Sequence, residues 1–241
     1  MLILVRSIVF NVLFYLSTAV WLIIALPTFF MPYTAILAVA KAWGRTNLVL
    51  LRIAGIDYEI RGREKIPKGP LIVAAKHQSA WETFALISLF DNPLFIVKRE
   101  LQWIPIFGWL MIKGRMVPVD RSAGSQALAA MTERARLELS CGRQLIIFPE
   151  GTRRPAGAEP RYKFGVAHLY AAEGVPCLPI ALNSGLFWPR RSIRRLPGTV
   201  LVEILDPIPP GLDKSVFFER LQQGLETATA RLIAEAKAGD S

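Results

Sequence analysis

LIVAAKHQSAWE, residues 71–82, joins a short and wholly apolar run to the polar start of a helical pattern. An apolar run bounded by polar residues is typical of a strand that is buried on both faces. Ser79 and Glu82 have the spacing of a capping box, in which both side chains accept hydrogen bonds from free N–H groups at a helix start. The segment therefore predicts a strand at 71–75, then His77, then a helix.

The same alternation of apolar runs and helical patterns continues through the rest of the chain after Ile56. It predicts a single α/β domain, residues 56–241, built on a mixed, largely parallel sheet flanked by helices. The predicted strands are 57–61, 71–75, 94–98, 116–119, 144–148, 177–182 and 199–205, and the predicted helices are 80–90, 104–112, 123–140, 164–173 and 214–237.

Residues 1–55 are predicted to form a membrane-associated helical hairpin. The run of 34 residues from Ser7 to Ala40 holds no charged residue. It is longer than the roughly 20 residues that one helix needs to cross a bilayer. Pro27 and Pro32 interrupt the run and would each break or kink a helix. The two predicted helices are 2–26 and 33–54, and the first either spans the membrane or enters and returns.

The second helix carries a basic stripe formed by Lys41, Arg45 and Arg52. A helix of this kind can lie in the headgroup layer with its basic stripe towards anionic lipid. A cleaved secretory signal is the alternative, because Ala38-Val39-Ala40 resembles a cleavage site. The apolar run is much longer than a signal peptide requires, so membrane attachment is favoured.

The composition supports a membrane protein with anionic partners. The 241 residues are 52% hydrophobic and carry a formal net charge of +10. A disordered chain would not hold so much apolar material, and nucleic acid binding would explain the charge but not the hydrophobicity. Cys141 and Cys177 are too few for a disulfide framework, and no metal-ligand spacing occurs. We therefore predict no metal site and no nucleic acid partner.

Polar clusters follow three of the predicted strands, where ligands bind in open α/β sheets. His77 follows the strand at 71–75, Arg121 follows 116–119, and PEGTRR (149–154) follows 144–148. Arginine presents a rigid fork of donors that suits a phosphate, and pairing of each arginine with a surface carboxylate is the alternative. Together the clusters predict a binding site at this edge of the sheet.

His77 is the candidate general base, and Glu82 is the carboxylate that could orient it. The capping role and the orienting role would then compete for one carboxylate. No G-x-S-x-G motif is present, so a serine hydrolase of that type is disfavoured. The simplest alternative is that His77 deprotonates a hydroxyl of the substrate, which would be an amphiphile that carries phosphate.

Four blocks in order resemble the glycerolipid acyltransferases, most of all the lysophosphatidic acid acyltransferase branch. They are HQSAWE (77–82), GRMVPVDR (114–121), FPEGTR (148–153) and VPCLPIAL (175–182). The first is similar to the family's H-x-x-x-x-D box, but it ends in Glu rather than Asp, which leaves the acceptor preference open.

The resemblance implies transfer of an acyl group from acyl-CoA or acyl-ACP, as co-substrate, to 1-acyl-sn-glycerol-3-phosphate, forming phosphatidic acid with no bound cofactor. It implies attachment to a membrane, on the cytoplasmic face of the inner or plasma membrane in a bacterium. The implied roles are catalysis by His77 and Glu82, phosphate binding by Arg121, Glu150, Gly151, Thr152 and Arg153, and a scaffold or acyl-site role for Gly114 and Pro179.

Two other functions remain open on the sequence. One is acylation of a lysophospholipid with a different headgroup, and the other is non-catalytic binding of anionic lipid, which would need no general base. The basic segment WPRRSIRR (188–195) predicts contact with acyl carrier protein, the phosphates of coenzyme A or anionic lipid rather than with nucleic acid. His168, in a predicted helix, is interpreted as structural.

Overall fold

The structure, a computed structural model, describes residues 1–120 and 124–239. The elements in these residues follow the predicted order closely, with strand and helix ends shifted by a few residues at most. The helices are α1 (Leu2–Ala25), α2 (Tyr33–Leu50), α3 (Trp81–Leu89), α4 (Phe107–Lys113), α5 (Gly124–Leu139), α6 (Gly165–Glu173) and α7 (Lys214–Gly239). The strands are β1 (Ile56–Arg61), β2 (Leu71–Ala75), β3 (Pro93–Lys98), β4 (Val117–Val119), β5 (Gln144–Ile147), β6 (Cys177–Leu182) and β7 (Gly198–Ile204).

The strands form one sheet in the order β1-β7-β6-β2-β5-β3-β4. All neighbouring pairs are parallel except β6 and β7, which are antiparallel. No α-helix lies between β6 and β7, so the chain turns back instead of crossing over to a parallel position. The predicted mixed, largely parallel sheet is confirmed.

Helices cover both faces of the sheet, and β2 shows how the core is divided between them. Leu71, Val73 and Ala75 pack in the cluster that contains the residues of α1, α2 and α3. Ile72 and Ala74 pack in the opposite cluster, with α5, α6 and α7. Every residue of β2 is fully buried, as expected for a strand with helices on both sides.

The two N-terminal helices pack directly on this core. Gly44 of α2 approaches α3 so closely that an added Cβ would lie 2.5 Å from the Phe84 carbonyl oxygen. On α1, the rings of Phe10 and Phe14 contact Trp188, at centroid distances of 5.3 and 5.6 Å. The hairpin is therefore docked along the α/β domain, and its division from that domain at residue 55 stays a prediction.

The outer face of α1 carries exposed aliphatic side chains along its whole length. Among the described residues, one helical segment, Leu2–Phe30, is long and apolar enough to cross a membrane. Two side chains of the predicted basic stripe, Lys41 and Arg52, contact other residues of the protein. Lys41 donates to the Asp91 carbonyl oxygen at 2.6 Å, and Arg52 pairs with Asp57 at 3.3 Å.

The prediction of a helix from residue 104 is wrong at its start, because α4 begins at Phe107. Ile106 has φ 63° and ψ −59°, which is incompatible with a helix. Pro105 has no N–H and its ring restricts the residue before it, so the preceding turn is a separate unit. Residues Arg99–Trp103 form that turn as a short 3-10 helix.

Candidate active site

A cleft of about 630 Å³ opens at the carboxyl ends of β2, β3 and β5 and extends between α2 and α4. Most of its lining is apolar and comes from α1, α2, α3, β3 and α4. The polar part of the wall includes His77, the turn Gly151–Arg153, Arg190 and Lys98. An apolar cavity with a few convergent polar groups is the usual form of a small-molecule site.

His77 follows β2 and is fixed by contacts on both its ring and its main chain. The ring stacks on Phe148, which follows β5, with 4.0 Å between centroids and an interplanar angle of 13°. The His77 N–H donates to the Glu150 carboxylate at 3.0 Å, and its carbonyl oxygen accepts from the Arg154 N–H at 2.8 Å. The imidazole therefore has one defined orientation at the wall of the cleft.

Glu82 lies in the first turn of α3 and is fully buried. Its carboxylate accepts hydrogen bonds from the N–H groups of Gln78 and Ser79, each at 3.1 Å, and from Ser184 Oγ at 2.5 Å. Ser184 comes from the segment that follows β6, the neighbour of β2. The bond to Ser79 is the return bond of the predicted capping box.

The same carboxylate faces His77. Glu82 Oε2 lies 3.6 Å from Nδ1 of a ring that is 13% exposed, and that nitrogen is buried without a hydrogen bond. Catalytic hydrogen bonds are often longer than normal before substrate binds, so this arrangement suits an orienting carboxylate. One oxygen faces His77 while both hold the helix start, and the two predicted roles do not exclude each other.

Glu150 occupies a different position from the one expected of a phosphate ligand. Its carboxylate is buried and accepts from the His77 N–H and from Lys76 Nζ, the latter at 2.8 Å. Lys76 also pairs with Glu226 at 2.7 Å, and Glu226 accepts from the Tyr162 hydroxyl at 2.7 Å. Burial and this hydrogen bond raise the pKa of Tyr162, so that it stays a proton donor.

Gly151, Thr152 and Arg153 line the mouth of the cleft. Gly151 has φ 67°, a left-handed conformation that glycine adopts without strain, and this turns the chain beside His77. Arg153 is exposed, and in the described part of the chain no carboxylate lies within ion-pair distance of its guanidinium. Arg190 Nη1 donates to the Arg153 carbonyl oxygen at 3.0 Å.

The remaining predicted residues lie at varying distances from the cleft wall. Gly114 ends α4 and lines the cleft. Pro179 is inside β6, in register with Ala74, and does not line the cleft, which is a scaffold position. Arg121 lies outside the described residues. His168 contacts the Phe164 ring and Lys214 on the α6 side of the sheet, away from the cleft.

Sequence reasoning assigned no role in the site to three residues that the fold brings there. They are Lys76, Phe148 and Ser184. Arg190, which belongs to the predicted basic segment 188–195, lies at the cleft as well. Phe148 stands in the FPEGTR block, next to the predicted turn, and its position directly after β5 was the available signal. Ser184 and Glu226 are far in sequence from Glu82 and Lys76, the residues that they contact, so no local pattern could have indicated these contacts.

The comparisons with known proteins agree with this geometry. The family model described as Acyltransferase matches residues 57–183. The 1-acyl-sn-glycerol-3-phosphate acyltransferase of Pseudomonas aeruginosa is 38% identical over 205 residues, 83% of this chain and 79% of that protein. The 1-acyl-sn-glycerol-3-phosphate acyltransferase alpha of Homo sapiens is 29% identical over 203 residues, 80% of this chain and 72% of that protein.

A solved structure extends the likeness to nearly the whole chain. The crystal structure of the 1-acyl-sn-glycerophosphate (LPA) acyltransferase from Thermotoga maritima superposes with a TM-score of 0.75 at 25% identity. It covers 94% of this chain and 97% of that one. The fold, the matched segment and the relatives agree, and the chain belongs to the acyltransferase family.

Proposed function

We propose that the protein transfers a fatty acyl group from a thioester to the free hydroxyl of 1-acyl-sn-glycerol-3-phosphate, forming phosphatidic acid. One observation carries the proposal: a buried carboxylate lies 3.6 Å from the imidazole of His77, at the wall of an apolar cleft. The names of the relatives from P. aeruginosa and H. sapiens support the choice of acceptor.

The base is His77. Because its Nδ1 faces Glu82, the other ring nitrogen, Nε2, is the one available to a substrate hydroxyl. Nε2 takes the hydroxyl proton while the hydroxyl oxygen attacks the thioester carbonyl carbon. The tetrahedral intermediate then expels the thiolate, which receives the proton from His77. The Glu82 carboxylate stabilises the imidazolium formed between these steps, and no acyl-enzyme is required.

The phosphate of the acceptor is held at the mouth of the cleft. Arg153 offers an exposed fork of donors, and a bidentate contact with phosphate is the strongest pairing such a fork makes. Gly151 and Thr152 form the adjoining turn, and Arg121 is a further candidate. Glu150 acts differently in this proposal: its buried carboxylate positions His77 and the turn, because an anion would repel the phosphate.

The apolar part of the cleft receives the acyl chain of the donor thioester. Val39 of α2, Val97 of β3 and Met111 of α4 are among its lining residues. The carrier of the thioester, coenzyme A or acyl carrier protein, is anionic in both cases. Arg190 lies at the cleft and belongs to the basic segment 188–195, which places positive charge where such a carrier would approach.

We propose that the enzyme works at a membrane surface, the cytoplasmic face of the inner membrane in a bacterium. The inner face of α1 packs on the domain through Phe10 and Phe14, whereas its outer face is exposed and apolar. A helix docked along one side in this way suits insertion into one leaflet with its apolar face towards the acyl chains.

Purified enzyme in detergent, incubated with lysophosphatidic acid and either acyl-CoA or acyl-ACP, tests the reaction and the donor together. We expect phosphatidic acid, and loss of nearly all activity in His77→Ala but not in His168→Ala. A folded His77→Ala protein that keeps most of its activity contradicts the mechanism. A panel of lysophospholipids with other headgroups tests the acceptor, and faster turnover of one of them contradicts the assignment.

The phosphate contact has its own test. Arg153→Ala should raise the KM for lysophosphatidic acid about tenfold or more, because a charge-assisted bond contributes about 1.5–3 kcal/mol. Arg161→Ala is the matched control, since Arg161 is an exposed arginine of the same loop that does not line the cleft. Equal KM values in the two variants would show that Arg153 does not bind the phosphate of the acceptor.

A further inference from the structure

The segment between β3 and β4 carries an exposed apolar surface that the reaction does not use. Trp103 is 76% exposed, and four more large apolar side chains of this segment are also exposed. We call these side chains the α4 surface: Trp103, Ile104, Phe107, Trp109 and Ile112. A continuous exposed apolar patch on a protein marks a site of interaction with another molecule or with a membrane.

The opposite side of the same helix forms a wall of the cleft. Leu110 and Met111 are buried and line the cleft, and Phe107 reaches both the cleft and the exterior. Trp109 and Ile112 point away from it and do not line it. The single helix α4 therefore lies between the cleft, which His77 lines, and the exposed α4 surface.

The α4 surface borders the tip of the N-terminal hairpin. Leu110 packs in one cluster with Ala25 and Ile36, and Lys113 Nζ donates to the Phe29 carbonyl oxygen at 3.1 Å. At this tip Phe30 is 96% exposed, so the apolar face of the hairpin leads on to α4. One apolar surface is thus formed by segments far apart in the sequence.

The residues at the edge of this surface fit a membrane. Lys113 is the last residue of α4, and the exposed Arg115 follows it. The Arg115 guanidinium lies 4.7 Å from the centre of the Tyr33 ring. Tryptophan, tyrosine and basic residues concentrate where a protein surface passes from the acyl chains to the headgroups. The charge and the aromatic side chains favour lipid over a second protein as the partner.

We propose that the α4 surface inserts into the bilayer next to the hairpin tip, so that the cleft opens towards the acyl-chain layer. The membrane-borne acceptor then reaches the His77 site without passing through water. This inference rests on the proposed function, because it gives the proposed membrane enzyme a second insertion site and a route for its substrate.

Depth-dependent fluorescence quenching tests the insertion. The full chain carrying Cys141→Ser is labelled with an environment-sensitive dye at Trp109→Cys or Ile112→Cys and reconstituted into vesicles that contain doxyl-labelled phosphatidylcholine. Buried Cys177 should not react. Phe30→Cys reports the hairpin tip, and Leu137→Cys is the matched control, an exposed apolar residue on α5. We expect both α4 positions to lie about 5–10 Å into the bilayer and the control to stay in water.

The outcomes separate this inference from the proposed membrane attachment. Quenching at Phe30→Cys without quenching at the α4 positions overturns the inference and leaves attachment by the hairpin intact. Quenching at α4 alone supports the inference and contradicts insertion of the hairpin tip. No quenching at either site refutes both. A disulfide-linked dimer through Trp109→Cys, with no quenching, would show that a second copy covers the α4 surface and overturns the inference.

Kinetics supply the second test. The double variant Trp109→Glu and Ile112→Glu should show about a tenfold higher KM for long-chain acceptor in vesicles, since interfacial binding scales with inserted apolar area. Turnover of a short-chain, water-soluble lysophosphatidic acid should not change, which confirms an intact active site. Leu137→Glu should alter neither value. An unchanged KM for the vesicle-borne acceptor overturns the proposal.

Discussion

Replacing Glu82 by Gln removes the charge that faces His77 while it keeps the length of the side chain. Both carboxylate oxygens of Glu82 accept hydrogen bonds, from the N–H groups of Gln78 and Ser79 and from Ser184 Oγ. A glutamine can accept through one oxygen only, so its NH₂ group must face one set of these donors. We therefore expect a moderate loss of stability together with a much larger loss of rate.

The loss of rate follows from the distance between the two charges. Glu82 Oε2 lies 3.6 Å from His77 Nδ1, and at an effective dielectric constant of about 20 the pair is worth about 5 kcal/mol once the imidazolium forms. Each 1.36 kcal/mol changes a rate about tenfold, so Glu82→Gln should lower kcat about a thousandfold. An Asp carboxylate would lie at about 5 Å, which predicts only about a tenfold loss for Glu82→Asp.

Initial rates with lysophosphatidic acid and acyl-CoA, measured alongside thermal unfolding in detergent, test the expected losses of activity in Glu82→Gln and Glu82→Asp. Ser184→Ala is the matched control, because it removes one hydrogen bond to the same carboxylate but leaves the charge. We expect Ser184→Ala to lose less than Glu82→Asp. If Glu82→Gln keeps a tenth or more of the kcat while it unfolds at lower temperature, the carboxylate only holds the helix start and the electrostatic argument is refuted.

Three further predictions concern stability and reactivity. Lys76→Met leaves two facing carboxylates without their cation and should lower the free energy of unfolding by about 3–5 kcal/mol; an unchanged denaturant midpoint would contradict the buried ion cluster. Gly44→Ala forces α2 away from α3 and should cost about 1–3 kcal/mol. Gly224→Ala should not destabilise, because the added Cβ would only make ordinary contact with Leu205, at 3.7 Å. Burial raises the pKa of the Cys177 thiol, so a maleimide should label only Cys141 before denaturation, and two labels on the native protein would contradict the core packing.

The fold was largely predictable because the central strands of its sheet are buried on both faces. Such strands appear as short apolar runs, as 71–75 and 177–182 do, and these become β2 and β6. The antiparallel placement of β7 was not predictable, since it depends on a connection between β6 and β7 without an α-helix. The start of α4 was missed because the run of apolar residues continues through Ile106, whose φ of 63° interrupts the helix.

The site was predictable where its chemistry is local. His77 and Glu82 are close in sequence, and a helix start brings such residues together. The partners that fix them come from distant strands: Ser184 follows β6, and Phe148 follows β5. The family resemblance implied a place for Glu150 beside the phosphate, but only the packed structure shows its carboxylate turned towards Lys76.

The main chain of His77 is tied at both its N–H and its carbonyl oxygen to the loop that carries Arg153. In the proposed mechanism, the general base and the phosphate ligand therefore cannot move apart without breaking these hydrogen bonds. Their fixed separation would suit acceptors with one particular number of bonds between the phosphorus and the reacting hydroxyl. We expect acceptors with a longer or shorter spacer to react poorly, however well their tails fit.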